Sequence, residues 1–489
     1  MLIYYLFVVS SLNYSRILYM GHRDRIVLKN VLITDVAAEG KALALIDGKV
    51  LFVPHAIPGD VVDIQVVHHK KAYMEGYMLQ LQTPSPDRIA PFCTHFGSCG
   101  GCKWQPLPYH LQLKYKQQQV YDQLTRIGKL SLPPINSILP SQKTQEYRNK
   151  LEFSFSNRSW LTREELAAMP IESREYQNAL GFHVSGFFDK VLDINHCFLQ
   201  PEPSNQIRIA IKAFAQERGY SFFDLRAQTG YLRTLMIRTS STGEIMVVIV
   251  FAYEDKAKRE ALLNYLLECF PAITSLMYII NNKCNDTFEG LEAFPYRSSP
   301  FITERMESLL FKIGPKSFYQ TNSDQAYRLY GVVRDFAQLA GNELVYDLYT
   351  GAGTIALFLS RYAKEVIGIE YVEEAVADAR ENAIANHIPN AHFFAGDMRK
   401  ILNSDFFNRY GIPDVMVLDP PRSGIHPHVI DAILEAAPVK IVYVSCNPAT
   451  QARDLQKLSE KYQILAVQPV DMFPHTHHVE NVVLLKKIL

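Results

Sequence analysis

The sequence predicts a multidomain α/β protein: an N-terminal antiparallel β-barrel of the OB type, a central mixed α+β domain and a C-terminal Rossmann-like domain. Three observations lead there. The chain has 489 residues, more than one hydrophobic core accommodates. Residues 24–83 alternate short β-rich runs with turns, and Asp47-Gly48 between two apolar runs is a hairpin signal. From about Asp324 the pattern becomes helix, strand, helix, strand, the signature of a parallel sheet with crossover helices. The expected boundaries are a tail at 1–23, the barrel at 24–83, the central domain at 84–323 and the C-terminal domain at 324–489.

The composition, 48% hydrophobic and 20% charged, is that of a soluble globular protein. Fifty basic and fifty acidic residues cancel, so net charge points to no partner. Local charge differs: Lys103 to Lys150 holds eight Lys or Arg against two acids, interleaved with Trp104, Tyr109, Tyr115, Tyr121 and Tyr147. Such a stretch is either a nucleic-acid surface or a solvated helix face with a few core tyrosines. Seven cysteines in a chain of this length make no disulfide scaffold. The apolar run Leu2 to Val9 is too short to span a bilayer and has no basic residue before it. It is expected to reflect a start assigned too early, with Met20 the alternative start, or else a short tail or anchor. A cytoplasmic protein without a membrane partner or an obligate protein partner is expected.

Each element follows in chain order. The barrel strands lie in "VLKNVLITDVA", "KALALIDGKVLFVPHA" and the run ending "EGYMLQLQ". A cysteine-rich loop, "PFCTHFGSCGGC", precedes a helix from about Tyr109 to Ile127. Central strands are expected at "KLEFSFS", "TLMIRTS" and "IMVVIVF". In "LVYDLYTGAGTIALFLS" a strand meets a glycine turn at Gly351 and Gly353, then a helix. A second strand ends in Glu370, placed to hold a ribose diol. Asp347 in the turn would repel a pyrophosphate but suits a cationic sulfonium, so the residues favour S-adenosylmethionine over a dinucleotide. Asp397 after the third strand is either an adenine contact or a helix N-cap. The fourth strand ends in Asp419-Pro420-Pro421-Arg422 and the fifth runs into Cys446. Asp347, Glu370, Asp419 and Cys446 should therefore share one rim of the sheet.

A cysteine where a strand gives way to an Asn-Pro turn faces a cleft rather than a core. Such a thiolate suits one reaction well. Addition to uracil C6 turns the ring into an enolate nucleophilic at C5, and a base must then remove the C5 proton. Cys446 fits the nucleophile, Glu480 at the mouth of the last strand fits the base, and Asp419 helps hold the base. His475, His477 and His478 beside Glu480 are expected to be surface or loop residues rather than metal ligands.

These motifs resemble the RNA uracil-5-methyltransferase family from about residue 24 to the end: "SFYQTN", "DLYTGAGT", "DPPRSG", "SCNP" and "HVENVVLL" occur in family order. The resemblance implies a class I methyltransferase domain, a TRAM barrel and S-adenosylmethionine. It makes Cys446 the nucleophile and Glu480 the base, and it places Gln320, Tyr349, Glu370 and Asp419 at the cofactor or active site, beside Gly351 and Asp397, which the residues themselves offer as cofactor contacts. Phe318 has a less defined part. Arg148 and Lys150 in "YRNK" become RNA contacts. The branch most resembled modifies 23S ribosomal RNA and carries both the barrel and an iron–sulfur cluster, which the transfer-RNA branch lacks. A same-chemistry enzyme for transfer RNA, or an RNA-binding ribosome-assembly factor, is the alternative. Cys93, Cys99, Cys102 and Cys197 offer four thiolates to a [4Fe–4S] cluster or to zinc, and their spacing does not choose. The resemblance favours [4Fe–4S]. His95 and His196 are candidate zinc ligands, and Cys269 and Cys284 are taken as structural.

Overall fold

The computed structural model describes residues 26–170 and 177–488, so the expected tail at 1–23 lies outside the described residues. The chain divides into two compact units. One is Met1–Phe92 with Lys103–Gln112, and the other is Cys93–Cys102 with Leu113–Leu489.

In the first unit six strands form one sheet. They are β1 (Val27–Leu32), β2 (Asp35–Val36), β3 (Ala42–Ile46), β4 (Lys49–Val53), β5 (Val61–His69) and β6 (Tyr73–Thr83), in the order β1-β5-β6-β4-β3-β2. The Asp47-Gly48 turn joins β3 to β4, as its residues require. The pairing is antiparallel except between β4 and β6, which run parallel. That departs from the all-antiparallel expectation: β5 carries the chain back, so β6 enters beside β4 in the same direction. Bulges in the β1–β5 and β5–β6 ladders coil the sheet around Val31, Ile33, Leu51, Val62 and Ile64.

The second unit holds two seven-stranded sheets. It takes up the helix α1 (Tyr109–Asp122) from Leu113 onward. The central sheet comprises β7 (Lys150–Ser156), β8 (Ala179–His183), β9 (Val191–Asp193), β10 (Leu232–Thr239), β11 (Ile245–Phe251), β12 (Ile273–Ile280) and β13 (Ala293–Pro295). Between these strands run α2 (Arg163–Ala168), α3 (Ser204–Glu217) and α4 (Lys256–Cys269). Strand β11 is buried throughout, as its unbroken apolar run dictates, and β10 is buried almost throughout although it carries Arg233 and Arg238. A hairpin of β14 (Ile302–Met306) and β15 (Leu309–Ile313) leads to α5 (Ser323–Ala337).

The C-terminal sheet has the order β18-β17-β16-β19-β20-β22-β21. Its parallel strands are β16 (Leu344–Leu348), β17 (Glu365–Glu370), β18 (Ala391–Ala395), β19 (Val415–Leu418) and β20 (Lys440–Ser445). Helices α6 (Thr354–Leu359), α7 (Glu373–Ala385), α8 (Met398–Ile401), α9 (Ser404–Tyr410), α10 (Pro427–Ala436) and α11 (Pro448–Leu458) make the connections. The last two strands, β21 (Tyr462–Val470) and β22 (Glu480–Lys487), close the sheet, with β22 antiparallel to both neighbours. One core runs from Met236 and Val248 of the central sheet to Val417 and Val482 of this one. No helix among the described residues is long and apolar enough to cross a membrane.

The basic stretch divides in a way its composition did not suggest. Lys116 in α1 is fully buried, neither solvated nor offered to a nucleic acid. Its Nζ meets Asp471 Oδ1 at 2.5 Å, also fully buried, and donates to the Phe473 carbonyl at 3.0 Å. Burial pulls the Lys116 ammonium down from its ordinary range, and the Asp471 carboxylate opposes that. Removing one partner strands the other as an uncompensated buried charge, at a cost of about 3–5 kcal/mol. Asp471→Ala is therefore expected to lower the urea midpoint of unfolding steeply. The paired change Lys116→Met with Asp471→Leu should lower it less than either single change.

Candidate active site at the carboxyl edge of the parallel sheet

The antiparallel register of β22 on β20 builds this site. Ser445 is paired with Asn481, so the first residue of β22, Glu480, stands beside the end of β20, where Cys446 follows. Strand β19 ends next to β20, and Asp419 is its next residue. The three side chains named from sequence for covalent chemistry are thus carried by neighbouring strands at one rim. Parallel strands leave β16 and β17 ending on that edge too, with Asp347 and Glu370.

The turn after β20 is tightly specified. Asn447 caps α11 through its side chain and Ala449 N at 3.2 Å, and Pro448 takes the first helical position, where no N–H is needed. Asn447 Nδ2 also donates to the Arg422 carbonyl at 3.0 Å, as does Thr450 Oγ1 at 3.2 Å. The Pro-Pro-Arg loop is thereby tied to the cysteine turn. Gln451 Nε2 donates to the Tyr443 and Asn481 carbonyls at 3.0 and 3.2 Å, and Asn481 Nδ2 donates back to Gln451 Oε1 at 2.7 Å. Helix α11 therefore fixes the strand bearing the cysteine against the strand bearing Glu480.

Charge at the rim is one-signed and poorly solvated. Burial, then the charge of Asp419, pushes the Glu480 carboxyl up to about 8, with Arg422 opposing. Burial and Asp347 push Asp419 up to about 7. Asp347 is itself raised to about 7 by burial. Burial, Glu480 and Asp419 push the Cys446 thiol up to about 11, against Arg422. A carboxylate that ionises reluctantly is a stronger proton acceptor once it has ionised.

The glycine turn is shaped for a ligand. Glu370 Oε2 accepts from Gly351 N at 3.1 Å, and Oε1 accepts from Tyr371 N and Val372 N at 2.8 and 3.1 Å. Asp347 Oδ2 takes Thr350 Oγ1 and Ala356 N at 2.6 and 3.1 Å, while the buried Oδ1 has no protein partner among the described residues. Tyr349 adopts φ 65°, unusual for a residue with a Cβ, in the same turn. At Gly353, with φ 78°, a Cβ would meet the Phe393 ring at 3.0 Å. An orphaned carboxylate oxygen and a glycine-lined turn fit a cationic ligand carrying an amino group. Asp397 caps α8 and binds the Arg399 guanidinium with both oxygens, so the N-cap reading is the one realised here. An adenine contact would have to share those oxygens.

Gln320 is buried, with its carbonyl held by Asn149 Nδ2 at 2.9 Å, whereas Phe318 two residues earlier is 69% exposed. Arg148 and Lys150 flank Asn149. Lys150 pairs with Glu152 at 2.5 Å, and the Arg148 guanidinium lies 5.1 Å from the Phe473 ring centre. The histidines occupy a loop, as expected, but His475 is buried rather than at the surface. Burial pushes it down to about 4, and burial with the neighbouring His477 takes His478 down to about 3. Cys99 and Cys197 pack against the same residues, Val184, Leu192 and Ile194, and Cys93 is close enough to Cys197 to help raise its thiol, although burial contributes more. Cys102 lies near Tyr147. Cys93, Cys99 and Cys197 are thus neighbours, yet no group of three or more His, Cys, Asp or Glu among the described residues is arranged to hold a metal ion. Cys269 and Cys284 are exposed. Lys116 and Asn149 went unnoticed in sequence, Tyr147 was named only among the interleaved aromatics, and an Asn between two predicted RNA contacts was the only local signal for Asn149.

The acids dictate a pH response for Cys446. Above about pH 8 Glu480 is charged and holds the thiol protonated, while below that it is neutral and exerts no such effect. Iodoacetamide alkylation of Cys446 should therefore run at similar rates in wild type and Glu480→Gln below about pH 7. Above pH 8 the variant should react faster, by about tenfold for each unit its thiol pKa falls. Equal rates at pH 9 would mean that Glu480 does not face the sulfur.

Residues 301–488 match the family described as tRNA (Uracil-5-)-methyltransferase, and residues 28–79 match the TRAM domain. A protein of Bacteroides thetaiotaomicron, named an uncharacterized RNA methyltransferase, is 57% identical over 92% of this chain and 100% of its own length. Another of that name, from Porphyromonas gingivalis, is 57% identical over 93% of this chain and 98% of its own. Among solved structures, the Pyrococcus abyssi tRNA (uracil-54, C5)-methyltransferase in complex with S-adenosyl-L-homocysteine aligns with a TM-score of 0.71 and 28% identity, covering 93% of this chain and all of its own. With relatives matched nearly end to end, and with Cys446, the acids and the glycine turn on one rim, the chain belongs to the RNA uracil-5-methyltransferase family and is an S-adenosylmethionine-dependent RNA methyltransferase with an N-terminal TRAM domain.

Proposed function

We propose that this enzyme methylates C5 of a specific uridine in 23S ribosomal RNA through a transient bond between Cys446 and C6. The observation that carries the chemistry is the placement of Cys446, Glu480 and Asp419 on adjoining strands of one rim. The Cys446 sulfur adds to C6, and the C5–C6 π pair moves into an enolate on C5, C4 and O4. S-adenosylmethionine, when bound, supplies the electrophilic methyl group for C5. Glu480 takes the C5 proton, the C6–S bond breaks and the sulfur leaves as thiolate. Asp419, half-buried beside Glu480, keeps the acceptor's affinity for a proton high through its own charge. Gln320, Tyr349, Gly351, Glu370, Asp397 and Asp419 are the residues assigned to hold the cofactor. Arg148 and Lys150 are assigned to RNA.

The ribosomal substrate rests on the resemblance of the four-cysteine arrangement to that branch. A transfer-RNA substrate is the second reading, favoured by the solved relative that acts on tRNA uracil 54. Cys93, Cys99, Cys102 and Cys197 are proposed to hold a [4Fe–4S] cluster, with zinc the alternative. The neighbourhood of Cys99 and Cys197, with Cys93 beside Cys197, supports part of this donor set. Methyl transfer needs no electrons, so no chemical step involves the cluster. A cytoplasmic setting follows from a ribosomal substrate.

Two experiments decide these points. In the first, transcripts of 23S and transfer RNA containing 5-fluorouridine are incubated with enzyme and S-adenosylmethionine, because fluorine at C5 cannot leave as a proton. A stable adduct on 23S RNA, mapped by mass spectrometry to Cys446 and absent in Cys446→Ala, is expected. An adduct on transfer RNA alone selects the second reading, and no adduct on either removes the covalent mechanism. In the second, protein purified without oxygen is analysed for iron, acid-labile sulfide and zinc. About four irons and four sulfides per chain are expected in wild type, with a clear loss in Cys197→Ser. Zinc in place of iron would overturn the cluster.

A further inference from the structure

Three consecutive residues before β7 reach two separate parts of the rim. Tyr147 is buried, and its hydroxyl donates to the Pro474 carbonyl at 2.9 Å. Arg148 stacks over Phe473, the preceding residue, with its ring centre at 5.1 Å. Pro474 and Phe473 belong to the loop 471–479, whose next residue is Glu480. Asn149 turns the other way. Its Nδ2 donates to the Gln320 carbonyl at 2.9 Å and to Ser323 Oγ at 2.8 Å, and its N–H donates to the Thr321 carbonyl at 2.8 Å. Ser323 Oγ in turn donates to Glu304 Oε2 at 3.0 Å, a buried carboxylate.

The tripeptide is itself anchored. The Arg148 N–H donates to the Leu199 carbonyl, and the Asn149 carbonyl accepts from Thr239 N at the end of β10, both at 2.8 Å. A group fixed at its backbone transmits position through its side chain, and reacting groups misplaced by about 1 Å can cost a hundredfold in rate.

We propose that Tyr147 and Asn149 form a two-armed positioning staple, in which Tyr147 sets the loop that delivers Glu480 and Asn149 sets the segment that presents Gln320. Neither residue touches the reacting atoms. The proposal rests on the roles given above to Glu480 and Gln320. It predicts a division of labour between two residues that are two positions apart. Asn149 governs cofactor affinity, and Tyr147 governs the step in which the C5 proton leaves.

The test compares full-length wild type, Tyr147→Phe and Asn149→Ala in three measurements: melting temperature, S-adenosyl-L-homocysteine affinity by calorimetry, and decay of the Cys446–RNA adduct after rapid quenching on ordinary uridine transcripts. Asn149→Ala is expected to bind S-adenosyl-L-homocysteine about tenfold more weakly, the size of one lost hydrogen bond, with adduct decay unchanged. Tyr147→Phe is expected to keep wild-type affinity and slow adduct decay about tenfold. Loss of both quantities in both variants, in step with melting temperature, would reduce the staple to general packing and overturn it. So would an exchange of the two effects, or no effect in either variant. If wild type forms no adduct, the covalent reading fails, and the affinities then decide the cofactor arm. Weakening confined to Asn149→Ala supports that arm, and equal affinities in the two variants overturn it.

Discussion

The antiparallel insertion of β22 between β20 and β21 is the constraint on which the site depends. A parallel strand in that position would begin at the far edge of the sheet and put Glu480 a strand's length from Cys446. The reversed strand begins where β20 ends, so residue 480 follows from the pairing of Ser445 with Asn481. The apolar run from Val482 to Leu485 buries that strand on both faces. The Gln451–Asn481 amide pair adds a directional lock at the end that matters.

Geometry creates an electrostatic problem that chemistry then uses. Three carboxyls, Asp347, Asp419 and Glu480, lie at one poorly hydrated edge, where burial first, and then a neighbouring acid (Glu370 at Asp347, Asp347 at Asp419, Asp419 at Glu480), raises each above the ordinary carboxyl range. Without ligands the edge favours protons over charge, and Cys446 stays a thiol. A cationic ligand beside the bare oxygen of Asp347 would relieve part of that repulsion. Arg422 opposes the repulsion at both Glu480 and Cys446, from a loop whose backbone is held by Asn447 and Thr450.

What the sequence discloses is what is local along the chain. Strand ends, the Asn-Pro cap after β20 and the glycine turn after β16 each lie within a few residues, so short-range rules place Cys446, Asp419, Asp347 and Glu370 on one edge. Asp397 is ambiguous in sequence because a helix cap and a ligand contact use the same carboxylate. The parallel β4–β6 pair in the barrel was missed because hairpin signals describe only adjacent strands. The side chains that fix the site were missed for the same reason. Lys116 meets Asp471 across 355 positions, Tyr147 meets Pro474 across 327, and Asn149 meets Gln320 across 171. A buried Lys in a basic stretch has no local signature, since its neighbours in sequence are polar whether it faces water or a carboxylate.

Those long-range contacts explain why the base loop can be a loop at all. Residues 471–479 lack regular structure, and a free segment of that length would place Glu480 poorly. Several of its early backbone groups are taken up by residues elsewhere in the chain or within the loop. Leu139 receives the Asp471 N–H, Asn322 binds the Met472 carbonyl, Lys116 and Thr476 bind the Phe473 carbonyl, and Tyr147 binds the Pro474 carbonyl. Asn322 belongs to the Gln320 segment, and Tyr147 is two residues from Asn149, which holds that same segment. The loop before Glu480 and the Gln320 segment are therefore held directly to each other and through a shared third element. A shift in either strains both sets of hydrogen bonds, so the two should move together or stay fixed together.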